Sequence, residues 1–190
     1  MSALVQEGRR RAGVATEEPS TVDHAQYLTF MLGGESFAIG ILVIKEIIEY
    51  GNVTVVPMMP EFIRGVINLR GSVVPVVDLS ARFGRKPSET TRRTCIVIIE
   101  VMADGDRQDV GVIVDTVNAV LEIPGDQIEP PPTFGARIRT DFIRGMGKVN
   151  GKFVIILNVD KVLSVDDLAM LQQAGGNERE ARLLSAPGDA

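Results

Sequence analysis

A chain of 190 residues, 45% apolar and 24% charged, is long enough for one ordinary domain or for two small ones sharing a core. A net charge of −5 argues against a phosphate-backbone binder, which needs a dense basic surface. One histidine and one cysteine leave no material for a Ser-His-Asp or Cys-His centre, a zinc site or an internal disulfide.

Residues 1–25 mix small, charged and turn-forming residues without apolar period and read as a disordered tail. The tail contains His24 and an arginine run, Arg9-Arg10-Arg11, but no apolar leader segment. The longest apolar run, 37–44, falls far short of the roughly 20 residues that cross a bilayer. No phosphate-cradling glycine loop or dinucleotide fingerprint occurs, so no cofactor is expected. A cytoplasmic protein without membrane insertion is the expectation.

Order is expected from Gln26. Tyr27, Thr29 and Met31 alternate with Leu28, Phe30 and Leu32, and Gly33-Gly34 turns the chain into Phe37, Ile39 and Ile41 at period two. Residues 43–50 are ambiguous, because Ile44, Ile47 and Ile48 have helical spacing in an isoleucine-rich run; we read a strand with a bend. Val53 and Val55 predict another short strand, stopped by Pro57 and Pro60. Residues 62–79, FIRGVINLRGSVVPVVDL, predict two strands joined by a glycine turn. Asp78 then caps a helical turn that Gly84 ends. Residues 85–93 are a charged linker and a candidate boundary.

The second half repeats the first. After an apolar strand at 94–102 and a turn at Asp104-Gly105-Asp106, Val110, Val112 and Val114 match Phe37, Ile39 and Ile41. Val117, Val120, Leu121 and Glu122 match Ile44, Ile47, Ile48 and Glu49, and Phe142-Ile143-Arg144-Gly145 repeats Phe62-Ile63-Arg64-Gly65. A longer loop precedes Phe142. A duplicated β unit with Gly- and Pro-punctuated strands predicts small barrels. One helix is expected at 164–173, opened by Ser164 and Asp167 and ended by Gly175-Gly176, before a flexible tail at 174–190.

The run FIRGVINLRGSVVPVVDL, with FAIGILVIKEIIEY upstream and VGVIVDTVNAVLEI downstream, resembles the CheW family of chemotaxis coupling proteins. The resemblance covers 26–171. It implies an all-β fold of two five-stranded SH3-like barrels packed side by side, here about 26–84 and 94–163, with short helical turns, the C-terminal helix and a third core between the barrels. It implies no enzyme activity. It also implies partners: the regulatory domain of the histidine kinase CheA at the barrel ends, and chemoreceptor cytoplasmic tips in a groove between barrels. Localisation would be cytoplasmic, at membrane-bound receptor arrays. An adaptor of a pilus-type chemosensory pathway, or one of the CheV kind, is the alternative. Gly40 departs from the family pattern, where many relatives carry an acidic or polar residue.

Only the first copy carries Asn68-Leu69-Arg70-Gly71; the second has Lys148 and Asn150 in place of Asn68 and Arg70. If Ile67 and Leu69 face the core, Asn68 and Arg70 point outward. Two readings stand open for Arg70. Its guanidinium meets a partner's carboxylates or helix-end carbonyls while Asn68 fixes the hairpin, or it folds back onto carbonyls between the barrels. Gly71 supplies positive φ, and Gly65 a special φ or a close backbone approach. Ile44, Ile47 and Val120 are candidate floor of a receptor groove, with Glu46 at its rim, or else barrel core. Cys95 reads as a small core residue. A carboxylate pair, Asp78 and Asp115, is the one arrangement from which a hydrolase could be imagined.

Overall fold

The computed structural model of the chain describes residues 24–133 and 139–164. The expected tails at 1–25 and 174–190 and the helix at 164–173 lie outside these residues, apart from His24, Ala25 and Ser164. The first hairpin pairs β1 (His24–Leu32) with β2 (Glu35–Gly40), turning at Gly33 and Gly34 with φ of 56° and 82°. Order therefore begins earlier than Gln26, because His24 already lies opposite Pro124 in the sheet.

After a 3-10 turn at Ile41–Val43 comes β3 (Ile44–Glu49). A bulge at Lys45 explains its helix-like spacing: Ile44 pairs with Ile99 and Ile47 with Val97, so both face the same side although three residues apart. The strand expected around Val53 and Val55 reduces to a single bridge between Thr54 and Val66. Two prolines, and a turn holding Met58 at φ 61°, take the chain away before a ladder forms. Next come β4 (Ile63–Leu69), β5 (Ser72–Asp78) and the one-turn helix α1 (Leu79–Arg82), capped by Asp78 as expected. The second half gives β6 (Cys95–Ala103), β7 (Asp106–Val114), β8 (Thr116–Pro124), β9 (Ile128–Glu129), β10 (Ile143–Val149), β11 (Lys152–Leu157) and a second one-turn helix, α2 (Val159–Val162).

The sheets are not the sequence halves. One sheet has the order β8-β1-β2-β11-β10-β9 and the other β3-β6-β7-β5-β4. Each is the same barrel pattern of the SH3-like kind, but the leading hairpins, β1–β2 and β6–β7, have changed places. The boundaries at 26–84 and 94–163 are corrected accordingly: the strands at 24–40 complete the barrel of the second unit, and those at 95–114 complete the barrel of the first. The reason is connector length. In its own barrel β2 would run parallel to β3, and a parallel return needs a dozen or more residues, whereas the turn Ile41–Val43 has three.

Three cores result. Ile67, Val74, Val76, Ile96, Ile98 and Ile113 fill the first barrel, and Tyr27, Ala38, Ile123, Val154 and Ile156 the second. The largest lies between them, and a file of four phenylalanines runs through it. Centroids are 6.1 Å apart from Phe30 to Phe37, 5.7 Å from Phe37 to Phe83 and 6.1 Å from Phe83 to Phe142. Arg82 lies over both Phe62 and Phe142, at 4.7 and 5.1 Å, and its Nε donates to the Val162 carbonyl at 2.8 Å. It thereby ties α1 to α2.

Because each barrel borrows a hairpin, neither half should fold alone. A fragment of residues 1–93 is expected to show no cooperative thermal transition, yet to copurify with a 94–190 fragment and melt with it as one unit. A monomeric 1–93 that melts cooperatively would contradict the exchange.

Candidate functional site

The β4–β5 hairpin closes at Leu69 and Ser72 around a two-residue loop, Arg70 at φ 51° and Gly71 at φ 85°. Two consecutive residues at positive φ match the twist of flanking strands, the type I′ pattern. The Asn68 Oδ1 accepts from the Gly71 N–H at 2.9 Å, so Asn68 does fix the turn.

Arg70 follows neither of its expected readings in the free chain. Its Nη1 and Nη2 donate to the Glu46 carboxylate at 2.8 and 2.9 Å, a bidentate fork that brings two candidate residues together. The Arg70 side chain remains 76% exposed, so the pair adds only about 0–1 kcal/mol to stability. Its value lies in orientation. A small groove beneath the fork is lined by Leu69, Ser72 and Val74, and flanked by Lys45 and Asp109. Lys45, the bulge residue, reaches Asp109 at 2.7 Å and Glu100 at 3.1 Å. Hydrogen bonds to Asp109 and then Glu100 hold its ammonium above the ordinary lysine range.

Two of the apolar candidates, Ile44 and Ile47, lie on the other face of β3, and the third, Val120, lies on β8. Ile47 stands opposite Val97, and Val120 opposite Leu28; both partners belong to the central core. Ile47 is 42% exposed and Val120 49%, while Ile44 packs against the core and is half-buried. The central core thus surfaces at two equivalent positions, one per barrel. A single groove with Ile44 and Ile47 as floor and Glu46 as rim is corrected to two faces of one edge strand, because residues 46 and 47 point oppositely. Both faces meet at the outer edge of β3, which is terminal in its sheet.

Gly65 serves the fold. A Cβ there would sit 2.1 Å from the Thr54 carbonyl oxygen, and its φ is 152°. Gly145, its counterpart, is crowded less, by the Ile128 side chain at 2.6 Å. The imagined carboxylate pair is occupied structurally. Asp78, fully buried, accepts from Ser80 N–H, Ala81 N–H, Ser88 N–H, Ser88 Oγ and Arg64 Nη2. Burial would lower the Arg64 guanidinium, but its hydrogen bond to Asp78 and the charge there outweigh this and hold it raised. Asp115 accepts from Gly33 N–H at 2.8 Å and caps the first hairpin turn. The sequence showed only the N-cap. That Asp78 also anchors Ser88 was missed, since nothing local marks a partner ten residues on; 85–93 is exposed for most of its length but fastened at Ser88 rather than loose.

Cys95 is half-buried against the central core, and burial, then the nearby Glu49, push its thiol up. Among the described residues, no group of His, Cys, Asp and Glu is placed to hold a metal ion, and no helix is long and apolar enough to cross a membrane.

The CheW-like domain family matches residues 26–167. Chemotaxis protein CheW of Klebsiella aerogenes is 34% identical over 146 residues, 77% of this chain and 86% of that protein. Chemotaxis protein CheW of Bacillus subtilis is 35% identical over 137 residues, 72% and 85% of the two chains. The crystal structure of scaffolding protein TtCheW from Thermoanaerobacter tengcongensis matches with a TM-score of 0.68 at 35% identity, covering 76% of this chain and 90% of that one.

Two substitutions separate structural residues from candidates. Asp78→Ala leaves the half-buried Arg64 without its carboxylate and the Ser80, Ala81 and Ser88 N–H groups without their acceptor, and should cost about 3 kcal/mol in urea unfolding. It should also loosen the 85–93 segment and speed tryptic cleavage at Arg92 and Arg93, which are exposed already. Gly65→Ala should cost on the order of 3 kcal/mol, through both the clash and the backbone strain. A loss under about 1 kcal/mol in either would show that the surroundings relax, contrary to the packing described.

Proposed function

Because the chain belongs to the CheW-like family of chemotaxis scaffolds, which are not enzymes, we propose that it couples chemoreceptors to the histidine kinase CheA. The observation that carries this reading is the Arg70–Glu46 fork at the free edge of β3, beside the place where the central core surfaces. A receptor tip is a helical hairpin. Laid along this edge, it meets Ile47 on one side and the fork on the other, with Ile44 and Val120 extending the apolar contact. The fork offers an oriented guanidinium and a carboxylate whose mutual pairing costs little to exchange for a partner's charges.

The barrel ends are left for the CheA regulatory domain. No bond is made or broken in this role. A chain holding both partners acts by differential affinity, favouring the kinase conformation that fits the receptor state. Such a scaffold works in the cytoplasm, at the inner face of receptor arrays, and needs no cofactor.

Separate titrations with the CheA regulatory domain and with a receptor tip test the reading; a chain that fails to bind both is not a coupler. Arg70→Asn removes the fork while suiting the turn, as Asn150 does in the other copy. It should lower receptor-dependent kinase activation roughly tenfold, equivalent to about 1.4 kcal/mol. The melting temperature should move by less than about 4 °C. Full activation by this variant would remove Arg70 from the site.

A further inference from the structure

The two sequence halves meet along four ladders, and one short crossing joins them. β3 pairs with β6, β5 with β7, β1 with β8 and β2 with β11, and the two strands of each pair come from different halves. The central core is shared in the same way: Phe30, Phe37 and Phe83 lie before the crossing and Phe142 after it. None of these contacts requires the two halves to belong to the same copy of the chain.

The crossing itself divides cleanly. Among the described residues, the hydrogen bonds of 85–88 go to the first half. Arg85 N–H donates to the Ser80 carbonyl at 3.0 Å, Arg85 Nη2 donates to Glu35, and the Lys86 carbonyl accepts from Ser80 Oγ at 2.8 Å. Ser88 is bound to Asp78 and Arg64. The hydrogen bonds of 89–93 stay with the second half, because buried Thr94 closes these residues into a turn. Its Oγ1 accepts from the Thr91 N–H at 2.8 Å and donates to the Glu89 carbonyl at 3.4 Å, and its own N–H donates to the Thr91 carbonyl at 3.2 Å. Residues 89–93 are all exposed. The turn stores slack: its five residue steps would span about 17 Å if drawn out at roughly 3.4 Å each.

We propose that this turn is a hinge, and that the surface between the halves takes a second copy of this chain: the first half of one copy closes on the second half of the other, and reciprocally. Each body of the resulting dimer keeps all four ladders and the central core, and only the Thr94 turn is lost. Exchange of this kind is a low-cost route to a dimer. Closure within one chain competes at an effective concentration on the order of millimolar, so the dimer is expected from chains that fold at about 0.5 mM and not at about 1 μM. Passing between the two forms requires the halves to separate, and since neither half is expected to fold alone, each form persists once made. In the dimer the exposed apolar positions come from two copies, Ile47 from one and Val120 from the other. The inference rests on the fold and not on the coupling role.

Cys95 provides the readout. It stands opposite Glu49 across the β3–β6 ladder, and residues so placed lie about 4.5–5.5 Å apart at Cα, a separation a disulfide spans. In full-length Glu49→Cys protein, oxidised after refolding, the bond forms within one chain in the monomer and between two chains in the exchanged dimer. A denaturing gel without reductant should show a covalent dimer after refolding at about 0.5 mM and a monomer after refolding at about 1 μM. The wild-type dimer, followed by size exclusion, should survive dilution for hours. Thr94→Val removes the hydroxyl that closes the turn and should raise the dimer fraction about threefold or more. A wild-type chain that stays monomeric after refolding at the higher concentration, or a dimer that falls apart within minutes of dilution, would overturn the proposal. So would an equally strong covalent dimer from E49C/C95S, or a dimer fraction unmoved by Thr94→Val. A dimer whose disulfides all lie within single chains would be two closed copies touching at their surfaces, and would likewise overturn it.

Discussion

The architecture depends on the shortness of two connectors. Three residues join β2 to β3, and Asp115 alone joins β7 to β8. Neither connector can carry the chain back along the length of a strand, so each leading hairpin must leave its own barrel and complete the other. The central core follows from that crossing. Phe30 and Phe37 arrive on the exchanged hairpin, Phe83 follows α1, and Phe142 opens β10, so the phenylalanine file joins elements that the sequence holds far apart. Two barrels that share strands in this way cannot hinge freely. Such rigidity suits a scaffold, because a partner bound at one barrel is held at a fixed distance and angle to a partner bound at the other.

Asp78 extends the same logic to the segment between the halves. Taking a carboxylate fully out of water is costly, and it is tolerated here because five donors converge on it. Two come from the helix it caps, two from Ser88, and one from Arg64, whose Nη2 also donates to the Ser88 carbonyl at 2.9 Å. A carboxylate so fully satisfied has no lone pair left for chemistry. The stretch that reads as a charged linker is thereby held to the first barrel at Ser88, and Arg85 ties it to Glu35 of the second.

Most of the fold was legible because it is repeated: two copies of an apolar-strand and glycine-turn pattern left little choice of elements. The assignment of strands to barrels was not legible, because pattern alone says where strands form and not which ones pair. Period alone left β3 ambiguous, because a bulge at Lys45 imitates helical spacing and only the isoleucine-rich composition pointed to a strand; it misled at Val53–Val55, where Gly65 draws the backbone close enough for one bridge and no ladder. Among the candidate residues, Asn68 and Arg70 were legible as an asymmetry between copies, and Gly71 as a repeated turn glycine. That Arg70 meets Glu46 was not, since the two lie on strands brought together only when the barrel closes.

Backbone conformation gives that asymmetry its weight. Among the described residues, five other than glycine have positive φ, and three of them, Asn52, Asp104 and Asn150, are the types that tolerate it. Arg70 is not. Its Cβ meets the following carbonyl, at roughly 1–2 kcal/mol, in a turn where the other copy uses asparagine at the same place. The ion pair with Glu46 offsets at most part of that, being exposed. Stability therefore does not account for arginine at this position. What the strained conformation does provide is direction: it sends the side chain off the hairpin tip toward the edge of β3, where a carboxylate holds its fork in place. Arg70 is thus explained by the direction of its fork rather than by stability.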